Sequence, residues 1–357
     1  MASTSVLHNP RLDELSWSGT LVPRTPWLQT LLLALTLGTT TAIGSRYMYN
    51  FELGNPPLTS FTDLFPFAWV WEHPEHLQSG LPFAITLLAI LLAHEFGHYI
   101  ACRAYGVRAS LPFVFPAPTL SGTAGALIRM KSRIPSRSAL IAIGASGPIA
   151  GFCVALVTTS YGLLNSKAVV APVPPSLFRF QAPALITLFH RVLSDSHPEL
   201  PPLAHIVPHP VLVASWIGLF VTALNLIPAG QLDGGHILYA LSPRLHKLGT
   251  HITIGALLYF GTVDWIGWLL WAFLLMLPAM AHPRIGSDRA PHPDTHLEPS
   301  SEAQQQPPED PLPPSRFLHT LVALFCGAIL LLCGTLQPCV GNSLTNVLFR
   351  IRWGLGY

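Results

Sequence analysis

Residues 82–100 read PFAITLLAILLAHEFGHYI, an apolar run that ends in His94, Glu95 and His98. About 20 mostly apolar residues are enough to cross the ~30 Å hydrocarbon core of a bilayer. Ionisable side chains are costly inside such a segment, and where they occur they mark functional sites by default. This stretch therefore predicts both a membrane-embedded fold and the position of its chemistry.

The spacing of the ionisable residues indicates a metal site. His94 and His98 are four residues apart, so a helix places them on one face, one turn from each other, where they can share an ion. Glu95 lies beside that face and could take a proton from a metal-activated water. This H-E-x-x-H pattern is the zinc-protease arrangement. The alternative is a pair of histidines that hydrogen-bond across a helix bundle.

The composition of the chain favours the membrane interpretation. Of 357 residues, 50% are hydrophobic and 10% are charged, against roughly 25% charged in soluble domains. A net charge of +2 is too small to indicate a nucleic-acid partner. The five cysteines form no C-x-x-C pair, and we interpret them as unpaired core residues.

The apolar runs predict an all-α polytopic membrane protein with about six or seven transmembrane helices. Residues 249–280 are interrupted at Asp264, which favours two short helices over one long tilted helix. The predicted spans are 28–43, 82–100, 139–163, 211–229, 249–280 as one or two helices, and 317–335.

These runs divide the chain into five segments. Residues 284–316 are rich in Pro, Ser and Gln and predict a disordered linker. The segments are a cytoplasmic N-terminal stretch (1–27), a first span with an outside loop (28–80), a metalloprotease core (81–283), the linker (284–316), and a C-terminal span with a tail (317–357).

The loop charges predict the orientation. Residues 101–138 hold six Lys and Arg residues and no acid, so this loop should face the cytoplasm. Spans 82–100 and 211–229 would then both run from outside to cytoplasm, and Asp233 would follow the second span at the depth of His98. A catalytic zinc usually has three protein ligands, and Asp233 is placed to be the third. The alternative for Asp233 is a turn-capping role before Gly234.

Residues 111–130 cannot form a continuous helix, because Pro112, Pro116 and Pro118 interrupt it. We expect a re-entrant β-hairpin or loop near the active site, tolerated where it is buried in protein or lines a wet cavity. Its edge could pair with an unwound substrate by strand addition, and a plain cytoplasmic connector remains the alternative. The predicted substrate or oxyanion contacts in it are Gly122, Thr123 and Gly125.

Two motifs together resemble the site-2 protease family (peptidase M50) of intramembrane zinc metalloproteases. They are H-E-F-G-H at 94–98 and N-x-x-P-x-x-x-L-D-G at 225–234. The resemblance extends over roughly 80–285 and includes Ala145-Ser146-Gly147-Pro148. Residues 121–128, with Lys131, Ser132 and Pro135, are similar to the subgroup without a PDZ domain that occurs in cyanobacteria and chloroplasts.

The resemblance implies one Zn²⁺ per chain, held by His94, His98 and Asp233, with Glu95 as general base. It also implies that Asn225 holds the substrate or the oxyanion, although an interhelical hydrogen bond is an equal alternative. The implied activity is hydrolysis of peptide bonds in or near membrane-spanning segments of other proteins. A membrane zinc transporter or metal sensor is the rival, and it would use Glu95 as a further ligand.

The expected partners are a membrane-spanning protein substrate and the lipid bilayer, with no nucleic acid. The expected location is a multi-pass position in a bacterial cytoplasmic membrane, with the active site near the cytoplasmic face. The sequence leaves the oligomeric state open.

Overall fold

The computed structural model describes residues 26–169, 179–277, 316–336 and 338–340. Most of these residues are helical. The helices are α1 Trp27–Glu52, α2 Phe67–Glu72, α3 Leu81–Ala104, α4 Arg137–Leu164, α5 Ala184–Ser196, α6 Pro210–Leu226, α7 Asp233–Leu241, α8 Pro243–Val263, α9 Gly267–Met276 and α10 Arg316–Cys333. The strands are β1 Phe113–Pro116, β2 Thr123–Leu127, β3 Lys167–Ala168, β4 Arg179–Phe180, β5 Ile206–Val207 and β6 Cys339–Val340.

Three helical stretches of the described chain are long and apolar enough to cross a membrane: α1, Pro74–Ala104 with α3, and α4. Shorter apolar helices are α6, α9 and most of α10. The protein is therefore a mostly helical integral membrane protein, as predicted. The count of six or seven spans is not confirmed, because the later helices are shorter than the apolar runs suggest.

Helices α3, α4 and α6 form the centre of the bundle. Gly97 of α3 lies so close to α4 that a Cβ there would collide with the Ser146 carbonyl. Ile90 of α3, Ala145 of α4 and Leu219 of α6 share one buried apolar cluster. Close approach of small residues is how membrane helices associate when lipid is as apolar as the side chains. This packing fixes the helix that carries H-E-x-x-H against its neighbours.

Helix boundaries differ from the prediction where polar contacts extend or end a helix. Helix α1 continues past residue 43 to Glu52, and Arg46 on that extension pairs with Asp63 at 2.7 Å. Helix α6 ends at Leu226. The next residue, Ile227, precedes Pro228, and a residue before proline is biased away from helix. Helices α8 and α9 are separate, with Asp264 between them, as the two-helix interpretation predicts.

A β-hairpin is present where the three prolines exclude a helix. Strands β1 and β2 pair antiparallel, with Phe113 opposite Leu127. The turn of the hairpin lies against α1, because Tyr47 Oη donates to the Leu120 carbonyl and Thr39 Oγ1 to the Gly122 carbonyl, both at 2.7 Å. The hairpin is therefore fixed to the first helix; its re-entry into the membrane stays a prediction.

Several predicted segments lie outside the described residues. They are nearly all of the N-terminal stretch, the linker at 284–315 and the tail at 341–357. Helix α10 begins at Arg316, the last residue of the predicted linker, and the division into five segments stays a prediction. Four of the cysteines are free thiols; Cys102, Cys326 and Cys333 are buried, as expected, whereas Cys153 is exposed.

Candidate metal centre

His94, His98 and Asp233 lie together in the interior of the bundle. The Asp233 Oδ2 atom is 3.2 Å from both His94 Nε2 and His98 Nε2, and the two Nε2 atoms are 3.1 Å apart. Within the described residues this is the one group of at least three His, Cys, Asp or Glu side chains able to share an ion. The side chains of the two histidines are buried, and that of Asp233 is 16% exposed.

The spacing of these three atoms fits a small tetrahedral ion. Bonds of about 2.0–2.2 Å to His nitrogen and carboxylate oxygen separate tetrahedral ligand atoms by roughly 3.3–3.6 Å. The observed separations of 3.1–3.2 Å lie just below that range. Two imidazoles and one carboxylate are also a common donor set for catalytic zinc. The residues present therefore fit the ion that the sequence predicts.

The orientation of His98 is fixed by α4. Its Nδ1–H donates to the Ile143 carbonyl at 2.6 Å, which leaves the Nε2 lone pair directed at Asp233 and His94. Metal-binding histidines usually use one ring nitrogen in this way to set the tautomer. The ring rests on Gly147, where a Cβ would overlap with its atoms.

Three glycines of α4 make room for the ligands. A Cβ at Gly144 would lie 3.3 Å from the Asp233 carbonyl oxygen, and one at Gly151 would lie 3.2 Å from His94 Cβ. Gly144, Gly147 and Gly151 thus carry no side chains on the side of α4 that faces His94, His98 and Asp233. Helix α4 contributes no ligand to the group, but it supplies the space that the group occupies.

Glu95 lies beside the ligand group without belonging to it. Its side chain is buried, and its carboxylate lies near the backbone N–H of Ile128, directly after β2. The site thus contains two carboxylates, Glu95 and Asp233. Because buried charges in proteins are paired or coordinate metals, a divalent cation would balance these two charges.

Asn225, on the last turn of α6, reaches the same group. Its Nδ2 atom is 3.3 Å from His94 Nε2. An amide at this distance from a ligand atom can also reach a carbonyl oxygen bound at the ion. The contact equally satisfies the alternative of an interhelical hydrogen bond, since α6 and α3 are the two helices that it joins.

The predicted contacts of the hairpin lie in two different environments. Gly122, with φ of +77°, packs against the Thr39 backbone of α1, and Thr123 Oγ1 donates to the Phe115 carbonyl at 2.8 Å. These two residues hold the hairpin together. Gly125 has φ of +102° and open space around it, and a substrate role for all three residues stays a prediction.

Sequence reasoning missed the residues that support the ligands. No sequence signal links Gly144 or Gly151 of α4 to the metal centre, and none points to the N–H of Ile128. His246 and Thr250 of α8 also contact the loop before Asp233. Their contacts are to backbone atoms, which leave no spacing pattern in a sequence.

Comparisons with known proteins agree with this geometry. The model of the family described as "Peptidase family M50" matches residues 82–263. The chain is 34% identical over 206 residues to the probable zinc metalloprotease EGY1, chloroplastic, of Oryza sativa subsp. japonica. It is 33% identical over 232 residues to the protein of the same name from Arabidopsis thaliana, and 31% over 195 residues to the probable zinc metalloprotease EGY2, chloroplastic, of that plant.

These alignments cover 56%, 60% and 54% of this chain, and 35%, 40% and 34% of the respective relatives. The chain thus spans well under half the length of the curated relatives it matches. The predicted similarity to the chloroplast subgroup is confirmed by their names. The family match covers just over half of the chain and includes both the H-E-x-x-H helix and Asp233. The chain belongs to peptidase family M50.

Proposed function

We propose that this protein is an intramembrane zinc metalloendopeptidase of the site-2 protease type. The observation that carries the proposal is the placement of Glu95. It lies next to three converging ligand atoms of His94, His98 and Asp233, but its carboxylate is not one of them. A hydrolase needs such an unligated carboxylate beside the ion.

The metal is zinc in this proposal, held by His94, His98 and Asp233. The donor set and its spacing support zinc, as do the names of the relatives. When bound, zinc supplies a Lewis acid for the scissile carbonyl and activates the attacking water. The three ligands come from α3 and α7, so the ion also joins these two helices.

Glu95 carries the proton in the reaction. Its carboxylate takes a proton from the attacking water and then gives it to the leaving amine. The N–H of Ile128 lies near this carboxylate and is placed to orient it for both transfers. The amide of Asn225, next to His94, orients the carbonyl of the substrate.

The substrate is a membrane-spanning segment of another protein, cleaved by regulated intramembrane proteolysis. A helical peptide bond has its carbonyl engaged, so the segment must unwind before attack. Strand β2 supports this step, because it runs directly into Ile128 and so ends beside Glu95. The unwound segment would extend the hairpin by strand addition.

The rival function, zinc transport or sensing, requires Glu95 to be a further ligand. The carboxylate of Glu95 lies outside the group of His94, His98 and Asp233 that can share an ion and near the N–H of Ile128, which favours the protease. The proposed location is a bacterial cytoplasmic membrane with the site near the cytoplasmic face, while the curated relatives carry chloroplastic names.

The replacement of Glu95 by Gln tests the proposal. Glu95→Gln keeps the size and the hydrogen-bonding reach of the side chain but removes its basicity. We expect zinc to stay bound and cleavage of a membrane-spanning model substrate to fall by about 10²–10⁴-fold. Both quantities are measured on one purified sample of full-length protein.

The matched control is Glu72→Gln, because Glu72 is an exposed carboxylate residue at the end of α2. It should leave both zinc content and cleavage unchanged. Loss of zinc in Glu95→Gln would identify Glu95 as a ligand and favour the transporter. Cleavage at the wild-type rate would remove Glu95 from the chemistry.

A further inference from the structure

The loop 227–232 carries Asp233 into the metal centre, and two side chains of α8 hold it. Gly230 in this loop has φ of +57°, a left-handed conformation that favours glycine. Its N–H donates to Thr250 Oγ1 at 3.2 Å, and its carbonyl accepts from His246 Nε2 at 3.0 Å. Both backbone polar groups of one residue are therefore bound by one helix.

His246 and Thr250, hereafter the α8 pair, are themselves immobilised. They are four residues apart on one face of α8, and Thr250 Oγ1 donates to the His246 carbonyl at 2.9 Å. Their relative exposures are only 5% and 7%. The His246 ring also meets the ring of Tyr239 edge-on, with centroids 5.4 Å apart. The pair thus has little freedom to follow a moving loop.

The loop in turn lies directly against the first turn of α7. A Cβ at Gly234 would collide with the Leu226 carbonyl, and one at Gly235 with the carbonyl of Gly230. These contacts leave no space between the loop backbone and the residues after Asp233. A displacement of Gly230 is therefore passed to Asp233.

We propose that the α8 pair are positioning residues for the metal centre, acting through Gly230 to hold Asp233 at the distance that zinc requires. The inference rests on the proposed function, because zinc is the ion considered. His94 and His98 share one rigid helix, whereas Asp233 arrives from a separate segment. Its position is the variable part of the site, and the α8 pair restricts it.

Removal of such supporting contacts typically costs about 10–100-fold in metal affinity. We therefore expect Thr250→Val, which keeps the shape and removes the hydroxyl, to weaken zinc binding about tenfold and to speed its release to a chelator. Thr250→Ser keeps the hydroxyl and should restore wild-type affinity. His246→Leu should weaken binding by at least as much, and His246→Gln, which keeps a donor near Nε2, should recover part of the loss.

The measurement is zinc affinity and release rate by chelator competition on the full-length protein in detergent, with circular dichroism to establish folding. The control is Thr159→Val in α4, because Thr159 is buried and its hydroxyl has no hydrogen-bond partner. It should leave zinc affinity unchanged. An equal loss in Thr159→Val would show that the effect is general destabilisation and would overturn the inference.

Wild-type affinity and release rate in folded Thr250→Val and His246→Leu would also overturn it. Failure of the proposed function looks different. In that case Asp233 would not be a zinc ligand, and the Asp233→Ala variant would bind as much zinc as the wild type.

Discussion

At Gly147, a single hydrogen atom in place of a side chain leaves room for the His98 imidazole. Gly147→Ala should displace that ring and break its hydrogen bond to the Ile143 carbonyl, so zinc content and cleavage should both fall while the protein stays membrane-inserted and helical. The measurement is metal analysis of the purified variant. Gly255→Ala on α8 is the control, because no atom lies within 4 Å of its added Cβ.

Gly255→Ala should retain its zinc and gain roughly 0.5–1 kcal/mol of helix stability. Equal zinc content in the two alanine variants would contradict the role assigned to Gly147. The comparison separates the effect of added volume at the site from the general effect of alanine in a helix.

The convergence of His94, His98 and Asp233 was predictable at this scale, and the contacts that support it were not. The i, i+4 spacing of His94 and His98 is a property of any helix, so the sequence alone places both rings on one face. Asp233 followed from charge asymmetry and span direction. The contact of Thr250 with Gly230 depends on how α8 folds back over the loop, and no local pattern encodes that.

Among the connecting segments, the loop between α1 and α3 depends on one carboxylate. Asp63 is fully buried and accepts hydrogen bonds from Arg46 Nε, Asn50 Nδ2, the Thr59 N–H and hydroxyl, and the Ser60 N–H. Burial by itself raises the pKa of Asp63, but the hydrogen bonds from Arg46 and Thr59 outweigh it, and the net pKa lies below its usual value. The folded loop therefore contains Asp63 in its charged form.

We expect the Asp63 contribution to stability to be fully present above its unfolded-state pKa of about 3.9. It should be lost as pH falls through the lower folded-state pKa. Asp63→Asn should destabilise the protein at pH 7 by about 1.5–3 kcal/mol, the cost of a hydrogen bond to a charged group. Thermal unfolding at pH 7 and pH 3 measures both effects.

The difference between wild type and Asp63→Asn should shrink at the lower pH. Asp195→Asn, at an exposed position of α5, should change little at either pH. A stability gap that is the same at both pH values would mean that the charge of Asp63 does not support the loop.

Element boundaries were predictable where hydropathy decides them. The runs at 82–100 and 139–163 lie within α3 and α4 and fall short of their ends by at most four residues. The extension of α1 beyond residue 43 was not predictable, because it depends on the pairing of Arg46 with a distant carboxylate. The hairpin was predictable from its prolines, but its contact with Tyr47 was not.

Across the whole molecule, the two polar ends of the bundle should lie on opposite sides of the membrane. Helix α3 has 24 residues and is about 36 Å long, enough to separate residue 80 from residue 105 by a bilayer core. In intact cells, an impermeant thiol reagent should label Trp71→Cys and miss Lys131→Cys. Both positions are exposed, so a difference in labelling reports the side of the membrane.

The background for this experiment carries Cys153→Ala, because Cys153 is exposed, whereas the free thiols of Cys102, Cys326 and Cys333 are buried. Permeabilised cells should label both positions. Labelling of Lys131→Cys but not Trp71→Cys in intact cells would reverse the orientation inferred from the loop charges.

The span count was the weakest prediction at this scale, and the site explains why. Helix α6 ends at Leu226, and the next helix begins at Asp233, so the helix is interrupted just before the carboxylate that meets the two histidines. Ala229, Gly230 and Leu232 of this non-helical segment are buried in protein, and such burial is what makes non-helical backbone tolerable within a membrane protein. Hydropathy registers the apolar run but not the break that brings Asp233 to the histidines.

Because His94 and His98 lie on α3 and Asp233 lies on α7, the three residues are not synthesised at the same time. His94 and Asp233 are 139 residues apart in the chain, which corresponds to roughly 7–28 s of translation at about 5–20 residues per second. During that interval the nascent chain contains both imidazoles but not the carboxylate, and α4 and α6, which later pack around the imidazoles, are still being synthesised. Under the proposed function, a chain whose synthesis stops before residue 233 therefore has both histidines of the metal centre but lacks its carboxylate and cannot hydrolyse peptide bonds.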